Sequence, residues 1–359
     1  MNILTDKIRT LPCPGCHLCG SKGQPLYHNL EDRLFGVPGK WNLVKCPNHE
    51  CGLIWADPMP IPEDLGRLYE SYYTHQDLVK SDSLPRRLYQ RGIDQYLSQR
   101  YGYSTARNGM LDKLLGGLLY FHPGRRADVD AQAMHLPANP SGRLLEIGFG
   151  TGETLKRLQD LGWDVEGIDF DPAAVANGLA KGLKVYLGDL SSQSFPENTF
   201  DAVVSSHVIE HVHDPLALLC ECHRVLKPGG RLVVLTPNTN SLGHRVFKTD
   251  WRGLEPPRHI HLFQPSALVK LVGKADFHNT YCSSTFRGGS ILLASLALSN
   301  KKNVHNVPPK NQRVWIELVH FFEWMVCKFD KSAGEELLLT ATKQSKSPPQ
   351  GTGNIPAVI

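Results

Sequence analysis

Two sets of residues in this 359-residue chain have types and spacings suited to chemistry: alternating glycines behind an acid, and five cysteines within the first 51 positions. Residues 144–155 read LLEIGFGTGETL, an apolar run through Glu146 into Gly148, Gly150 and Gly152, then a helix starting near Thr151. Glycine in such a turn permits positive φ and close approach of a ligand to the main chain, and a helix start presents unpaired amides. The pattern implies a nucleotide-like cofactor. Asp169 ends the next strand 21 residues after Gly148, where a carboxylate accepts hydrogen bonds from ribose hydroxyls. A nicotinamide dinucleotide would use the same acid, but its loop is spaced G-x-G-x-x-G, not G-x-G-x-G. Glu146 would also repel a pyrophosphate and favour a cationic ligand.

The cysteines read CPGCHLCG at 13–20 and KCPNHECG at 45–52. Cys16 and Cys19 with Cys46 and Cys51 make the better tetrahedral register, since Gly20 and Gly52 follow the second ligand of each pair and let the loops close. Cys13 is spare, and His49 is at most a substitute ligand. Two pairs separated by 26 residues form a zinc-ribbon pattern, and a closed four-thiolate Zn²⁺ site is structural.

A third group is histidine-rich. His207, Glu210 and His211 in HVIEH would share one face if helical, and His259 and His261 follow in PPRHIHLF. Three readings stand: a general base, with His259 first, His207 and His211 beside it; a metal site built from the same residues; or hydrogen-bonded packing.

Positioning these residues requires an α/β frame. From 141 to 343 short β-rich runs alternate with amphipathic segments: strand RLLEI, helix 151–162, strand DVEGID, helix 172–181, strand KVYLGD. Strand DAVVSS, helix 214–226, strand RLVVLTP, helix 266–274, strand 277–286 and a last strand ELLLTAT follow. The alternation predicts a mainly parallel sheet covered on both faces, with ligands at the carboxyl ends of its strands. Residues 1–75 read as the zinc-ribbon lobe, 76–140 as a helical linker or cap with helices near 84–100 and 106–121, and 344–359 as a disordered tail. A net charge of +4 is spread along the chain and neither requires nor excludes a nucleic-acid partner. The N-terminus has no signal-like apolar core and no run reaches a membrane span, so a cytoplasmic location is expected.

LLEIGFGTGETL, VEGIDFDPAAV, GDL at 188–190, FDAVVSSHVIEHVHDP at 200–215 and RVLKPGGRLVVLTPN at 224–238 together resemble class I S-adenosylmethionine-dependent methyltransferases. The resemblance implies a Rossmann-like seven-stranded sheet of order 3-2-1-4-5-7-6, its seventh strand antiparallel and supplied by GEELLLTATK at 334–343. It implies that Glu146, Gly148, Gly150 and Gly152 surround the methionine part of S-adenosylmethionine and that Asp169 holds the ribose. Phe170 would pack on adenine, Asp189 and Leu190 would bound it, and Ser205, Ser206 and His207 would line the floor near the methyl group.

The lobe, with CHLCG, LEDRLFGVPGKWNLVKC, CGLIWADPMP and LYESYYTH, is similar to the N-terminal lobe of sugar-nucleotide C-methyltransferases and their bacterial relatives. That likeness implies methylation (O-, C- or N-) of a sugar or sugar-nucleotide-like small molecule, with Tyr72, Tyr73 and His75 near the acceptor. No second glycine-rich domain follows the methyltransferase region here. Trp251 and Arg252 are expected to touch the acceptor and Arg258 to hold a phosphate. The alternatives are methylation of RNA or protein through the lobe, and a non-catalytic S-adenosylmethionine-binding module. The apolar stretch 314–329 reads as a lid helix, a dimer surface or a peripheral membrane contact.

Overall fold

A computed structural model describes residues 8–69, 83–104, 109–285, 290–300 and 313–345. The chain begins with β1 (Thr10–Leu11), then β2 (Gln24–Leu30), β3 (Trp41–Lys45), β4 (Ile54–Ala56) and β5 (Met59–Pro60). Strands β2, β3 and β4 form an antiparallel meander, while β1 pairs with β5. Trp55 on β4 is completely buried and donates its indole N–H to the Cys13 carbonyl at 2.7 Å. The turn after β2 is wound on Asp32, whose carboxylate accepts from the amides of Leu34, Phe35 and Val37 at 3.0 Å each.

Three helices follow: α1 (Leu84–Tyr101), α2 (Met110–Tyr120) and α3 (Pro123–Gln132). Gly102, at φ +79°, ends α1 in the left-handed conformation that a residue without Cβ adopts freely. The two expected helices are thus present, and α3 is additional. Its ADVDAQ segment has little apolar periodicity and is held instead by packing and by Asp130, which accepts the Tyr96 hydroxyl at 2.7 Å. The segment containing Tyr72, Tyr73 and His75 lies outside the described residues, as does most of the expected tail.

From here the chain alternates: β6 (Arg143–Ile147), α4 (Glu153–Asp160), β7 (Asp164–Asp169), α5 (Pro172–Ala180), β8 (Lys184–Leu187), β9 (Phe200–Ser206), α6 (Pro215–Val225) and β10 (Leu226–Pro237). It continues with α7 (Leu242–Phe247), β11 (His261–Leu262), α8 (Pro265–Lys274), β12 (Phe277–Thr285), α9 (Ser290–Ser299), α10 (Arg313–Phe329) and β13 (Glu336–Lys343). Across the large sheet the order is β8-β7-β6-β9-β10-β13-β12, with β13 antiparallel to both neighbours. Central strands such as β6 are apolar throughout because both faces are covered. Leu155 and Leu158 of α4, together with α1, α3 and α5, pack on one face; α6 and α8 pack on the other.

The N-terminal lobe is not a separate body. Its buried Trp41, Leu43, Ile54 and Trp55 belong to the same apolar core as Leu145, Val203, Leu232 and Leu268 of the sheet domain. Strand β11 also pairs with β4, His261 opposite Trp55, so a segment that follows β10 completes the lobe's sheet. No helix among the described residues is long and apolar enough to cross a membrane.

Candidate functional site

At the carboxyl end of β6, Gly148, Gly150 and Gly152 all take positive φ (+69°, +53° and +74°). A Cβ on Gly148 would come within 2.3 Å of Val208, whereas one on Gly150 would meet nothing within 4 Å, so the middle glycine opens onto free space. Asp169, at the end of β7, accepts the Gly150 amide on Oδ2 at 2.8 Å and the Asp171 amide on Oδ1 at 3.0 Å. The acid therefore shapes the glycine loop as well as facing it. Glu146 is 3% exposed, its Oε2 has no hydrogen-bond partner, and burial together with nearby Asp169 pushes its carboxyl up to about 8. A buried acid of this kind is costly unless a ligand compensates it.

Phe170 stays exposed beside the loop, with the Tyr69 ring edge-on at 5.1 Å. Asp189 accepts from the Ser192 amide and the Ser191 hydroxyl, which hold its carboxyl below the usual range, and Leu190 behind it is buried. Ser205 is buried with an unpartnered hydroxyl, and Ser206 is half-buried at the end of β9.

The HVIEH segment is a turn, not a helix, and it begins with His207 at φ +56°. His207 still meets Glu210, its Nδ1 3.1 Å from Oε1, because the turn folds back; its Nε2 is 2.7 Å from Glu336 Oε1. Burial disfavours the imidazolium, but the bonds to Glu210 and Glu336 outweigh it and push His207 up to about 9. Burial would likewise raise Glu210, yet His207 chiefly, with His211 and His259, holds it down at about 2, and its Oε2 accepts from the Thr236 hydroxyl at 2.9 Å.

His211 Nδ1 lies 2.9 Å from the Tyr69 hydroxyl and 3.0 Å from the Arg258 carbonyl. His259 donates Nδ1–H to the Gly253 carbonyl at 2.7 Å, and burial pushes it down to about 4. Ligand atoms of Glu210, His211 and His259 lie within 4.8 Å of one another. His261 does not join them: on β11 it turns toward the lobe, donates to the Val212 carbonyl and packs edge-on against His17 at 4.7 Å. The pairing of β11 with β4 decides that, because it sets His261 opposite Trp55 in the lobe's sheet.

The arginine and tryptophan expectations are also corrected. Arg258 is fully buried, paired with Asp32 and Glu255 and stacked on Phe35 at 4.3 Å, so its guanidinium is committed and cannot hold a phosphate. Arg252 is paired with Glu255. Trp251 is buried and donates its indole N–H to Glu335 at 2.7 Å. Tyr69 holds His211, Glu336 holds His207 and Thr236 holds Glu210, and the sequence reading missed all three. Tyr69 sits in the LYESYYTH segment already marked by its aromatics; Glu336 is brought in only by the sheet order.

In the lobe, Cys16, Cys19, Cys46 and Cys51 bring their sulfurs within 4.8 Å of one another, with Sγ–Sγ distances of 3.6 Å (Cys16–Cys51) and 3.4 Å (Cys19–Cys46). Gly20 and Gly52 take the positive φ (+74° and +58°) that closes each loop. Cys13 stands apart against His17, and His49 is exposed, outside the cluster.

Residues 125–281 match the family model described as a methyltransferase domain. The chain is 39% identical over 151 residues to a probable S-adenosylmethionine-dependent methyltransferase of Mycolicibacterium smegmatis, covering 41% of this chain and 56% of that one. It is 37% identical over 152 residues to a demethylmenaquinone methyltransferase of Renibacterium salmoninarum (41% and 62% covered). To a ubiquinone biosynthesis O-methyltransferase of Cereibacter sphaeroides it is 33% identical over 145 residues (37% and 59% covered). The match thus spans little more than half the length of these relatives. Residues 125–281 thus match a methyltransferase domain, on a mostly parallel sheet with a glycine loop, and are similar to S-adenosylmethionine-dependent methyltransferases.

Proposed function

We propose that the protein transfers a methyl group from S-adenosylmethionine to a small-molecule acceptor of sugar or sugar-nucleotide type. The observation that carries the donor half is the buried, unpartnered Glu146 behind a glycine loop that opens onto free space at Gly150. That arrangement fits a cationic ligand with a nucleoside body. Glu146, Gly148, Gly150 and Gly152 would hold the methionine part. Asp169, whose oxygens each accept one amide and retain a lone pair, would hold the ribose. Phe170, Asp189 and Leu190 would enclose the adenine; Ser205, Ser206 and His207 would form the floor beside the methyl group. When bound, the donor supplies an electrophilic methyl on a sulfonium.

On the acceptor side the chain's contribution is chiefly position and orientation. Tyr69 reaches from the lobe to both Phe170 and His211, which supports an acceptor enclosed between lobe and sheet. His259 donates through Nδ1, so its Nε2 carries a lone pair that accepts the acceptor's proton after the methyl has moved, a task for which even a weak base suffices. The small-molecule class is supported by relatives named for quinone acceptors, and the sugar class by the lobe's likeness to sugar-nucleotide enzymes.

Structural Zn²⁺ is part of the same reading. Zn–S bonds of about 2.3 Å in a tetrahedron set sulfurs about 3.8 Å apart, and the four thiols in the lobe are gathered at closely similar spacing.

Isothermal titration with S-adenosylhomocysteine tests the donor site. Binding in the micromolar range is expected; a Kd weaker than about 1 mM, near −4 kcal/mol, would reject it. Turnover unchanged in His259→Ala would remove that residue from the mechanism.

A further inference from the structure

The acceptor edge holds a carboxyl group that the donor reading does not use. Glu323 on α10 is completely buried, and neither of its oxygens has a hydrogen-bond partner. The rest of the described α10 differs sharply: Leu318, Phe321, Phe322 and Phe329 are exposed, so the helix turns its acid inward and leaves apolar side chains outside. An inward, unpartnered carboxyl group reverses the usual preference and calls for a ligand.

The charged groups that act on Glu323 are Glu335 and Glu336 at the start of β13, which are 2% and 3% exposed. Glu335 is occupied by the Gly243 amide and the Trp251 indole, both at 2.7 Å. Glu336 receives His207, whose other nitrogen goes to a fourth buried acid, Glu210. His207 thus stands between two buried acids, Glu210 and Glu336, while Glu323 faces Glu335 and Glu336. This is the carboxyl edge of the sheet, since Glu336 stands opposite Pro237 at the end of β10 and His207 follows β9.

A metal ion does not account for the surplus. Among the described residues the groups close enough to share an ion are the four cysteines and Glu210–His211–His259, and Glu323 is in neither. Burial and the neighbouring Glu335 and Glu336 push the Glu323 carboxyl up to about 8, so a neutral hydroxyl would leave it protonated, whereas a cation would draw it into the ionised form and pair with it. An ammonium does both, with three N–H donors and one positive charge.

We propose that Glu323, backed by Glu335 and Glu336, receives a protonated amine carried by the methyl acceptor, so that the substrates are aminated small molecules such as amino sugars. This rests on the methyl-transfer reading of the edge. The amine contact is a charge-assisted pair in a site closed to water, and exchanging the ammonium for a hydroxyl is expected to weaken binding by about tenfold or more.

The test uses the full-length, zinc-loaded protein and saturation-transfer NMR with D-glucosamine and D-glucose as probes, each with and without S-adenosylhomocysteine. The expected result is a glucosamine signal at millimolar concentration that exceeds the glucose signal at least about tenfold and disappears in Glu323→Gln. Because that substitution removes an unpartnered buried acid, the variant is expected to melt at the same temperature or higher and to bind S-adenosylhomocysteine as before. Equal signals for the two sugars, a preference that survives in Glu323→Gln, or a variant with a lowered melting temperature would overturn the proposal. Failure of S-adenosylhomocysteine to bind would count against the donor reading alone, since the probes are also read without it.

Discussion

Arg258 and Asp32, 226 residues apart in the chain, form one buried ion pair with Nη1 2.9 Å from Oδ2 and Nη2 3.2 Å from Oδ1. The pair ties the turn after β2 to the segment that carries His259. Asp32 also organises its own turn through three amides, and Arg258 is held a second time by Glu255, so the network fixes lobe, turn and histidine together. Removing one member of a buried pair strands the other charge. Arg258→Met or Asp32→Asn is expected to lower stability by about 3–5 kcal/mol, read as a lower urea midpoint, and Arg258→Lys should fail to rescue because it lacks the planar fork. A shift of less than about 1 kcal/mol would mean that the pair behaves as a surface one.

Zinc removal should affect more than the lobe. Since the lobe shares its core with one face of the sheet, chelation or Cys51→Ser is expected to lower the melting temperature of the whole chain by about 10 °C or more in one cooperative transition. Metal analysis should give one zinc per chain. A native melt after complete metal loss would reject the structural role.

His207 gives a pH signature. Its folded value, about 9, lies above the ordinary 6.5, so the protonated ring stabilises the fold fully below about pH 6.5. That contribution is lost as pH rises through about 9. On the order of 3 kcal/mol is involved. Melting curves from pH 6 to pH 10 should fall more steeply for the native chain than for His207→Gln, and parallel curves would contradict the paired imidazolium.

Glu146 predicts proton release on donor binding. With its carboxyl near 8 in the free protein, it is mostly protonated at pH 7, and a cationic ligand beside it favours the ionised form. Titrations of S-adenosylmethionine in buffers of different ionisation enthalpy should show a fraction of a proton released per site. Glu146→Gln should abolish the release and weaken binding by about tenfold. Equal proton release in that variant would place the ionising group elsewhere.

Gly150 tests the loop directly. A side chain there points into open space but sits at φ +53°, so Gly150→Val should cost about 1–2 kcal/mol in backbone strain and block the ligand. The expected readout is loss of S-adenosylhomocysteine binding in a protein whose circular dichroism is unchanged; retained affinity would show that the ligand does not use this space.

Local signals carried much of this. The β6 to β10 strands are short apolar β-rich runs, and the helices between them have caps such as Asp171 and Asp214 that mark their starts. The Cys16-x2-Cys19 and Cys46-x4-Cys51 loops were legible because ligand spacing and the following glycines are local geometry. Helix α3 was not, since ADVDAQ shows no apolar stripe and becomes helical through contacts with α1 and α10. HVIEH would share one face if helical, but the chain turns there and brings Glu210 to Thr236.

The sequence by itself determined the glycine loop, the order of strands and helices along the chain and the choice of four cysteines out of nine, because each rests on neighbours within a few residues or on residue type. Only the tertiary structure decided the use of the remaining charged groups. Arg258 became a buried strut when Asp32 met it from the lobe, His261 was drawn toward the lobe when β11 paired with β4, and Glu336 reached His207 because β13 lies beside β10. Such assignments depend on which distant segments become neighbours, and in a packed interior a charge takes its role from the partner it meets.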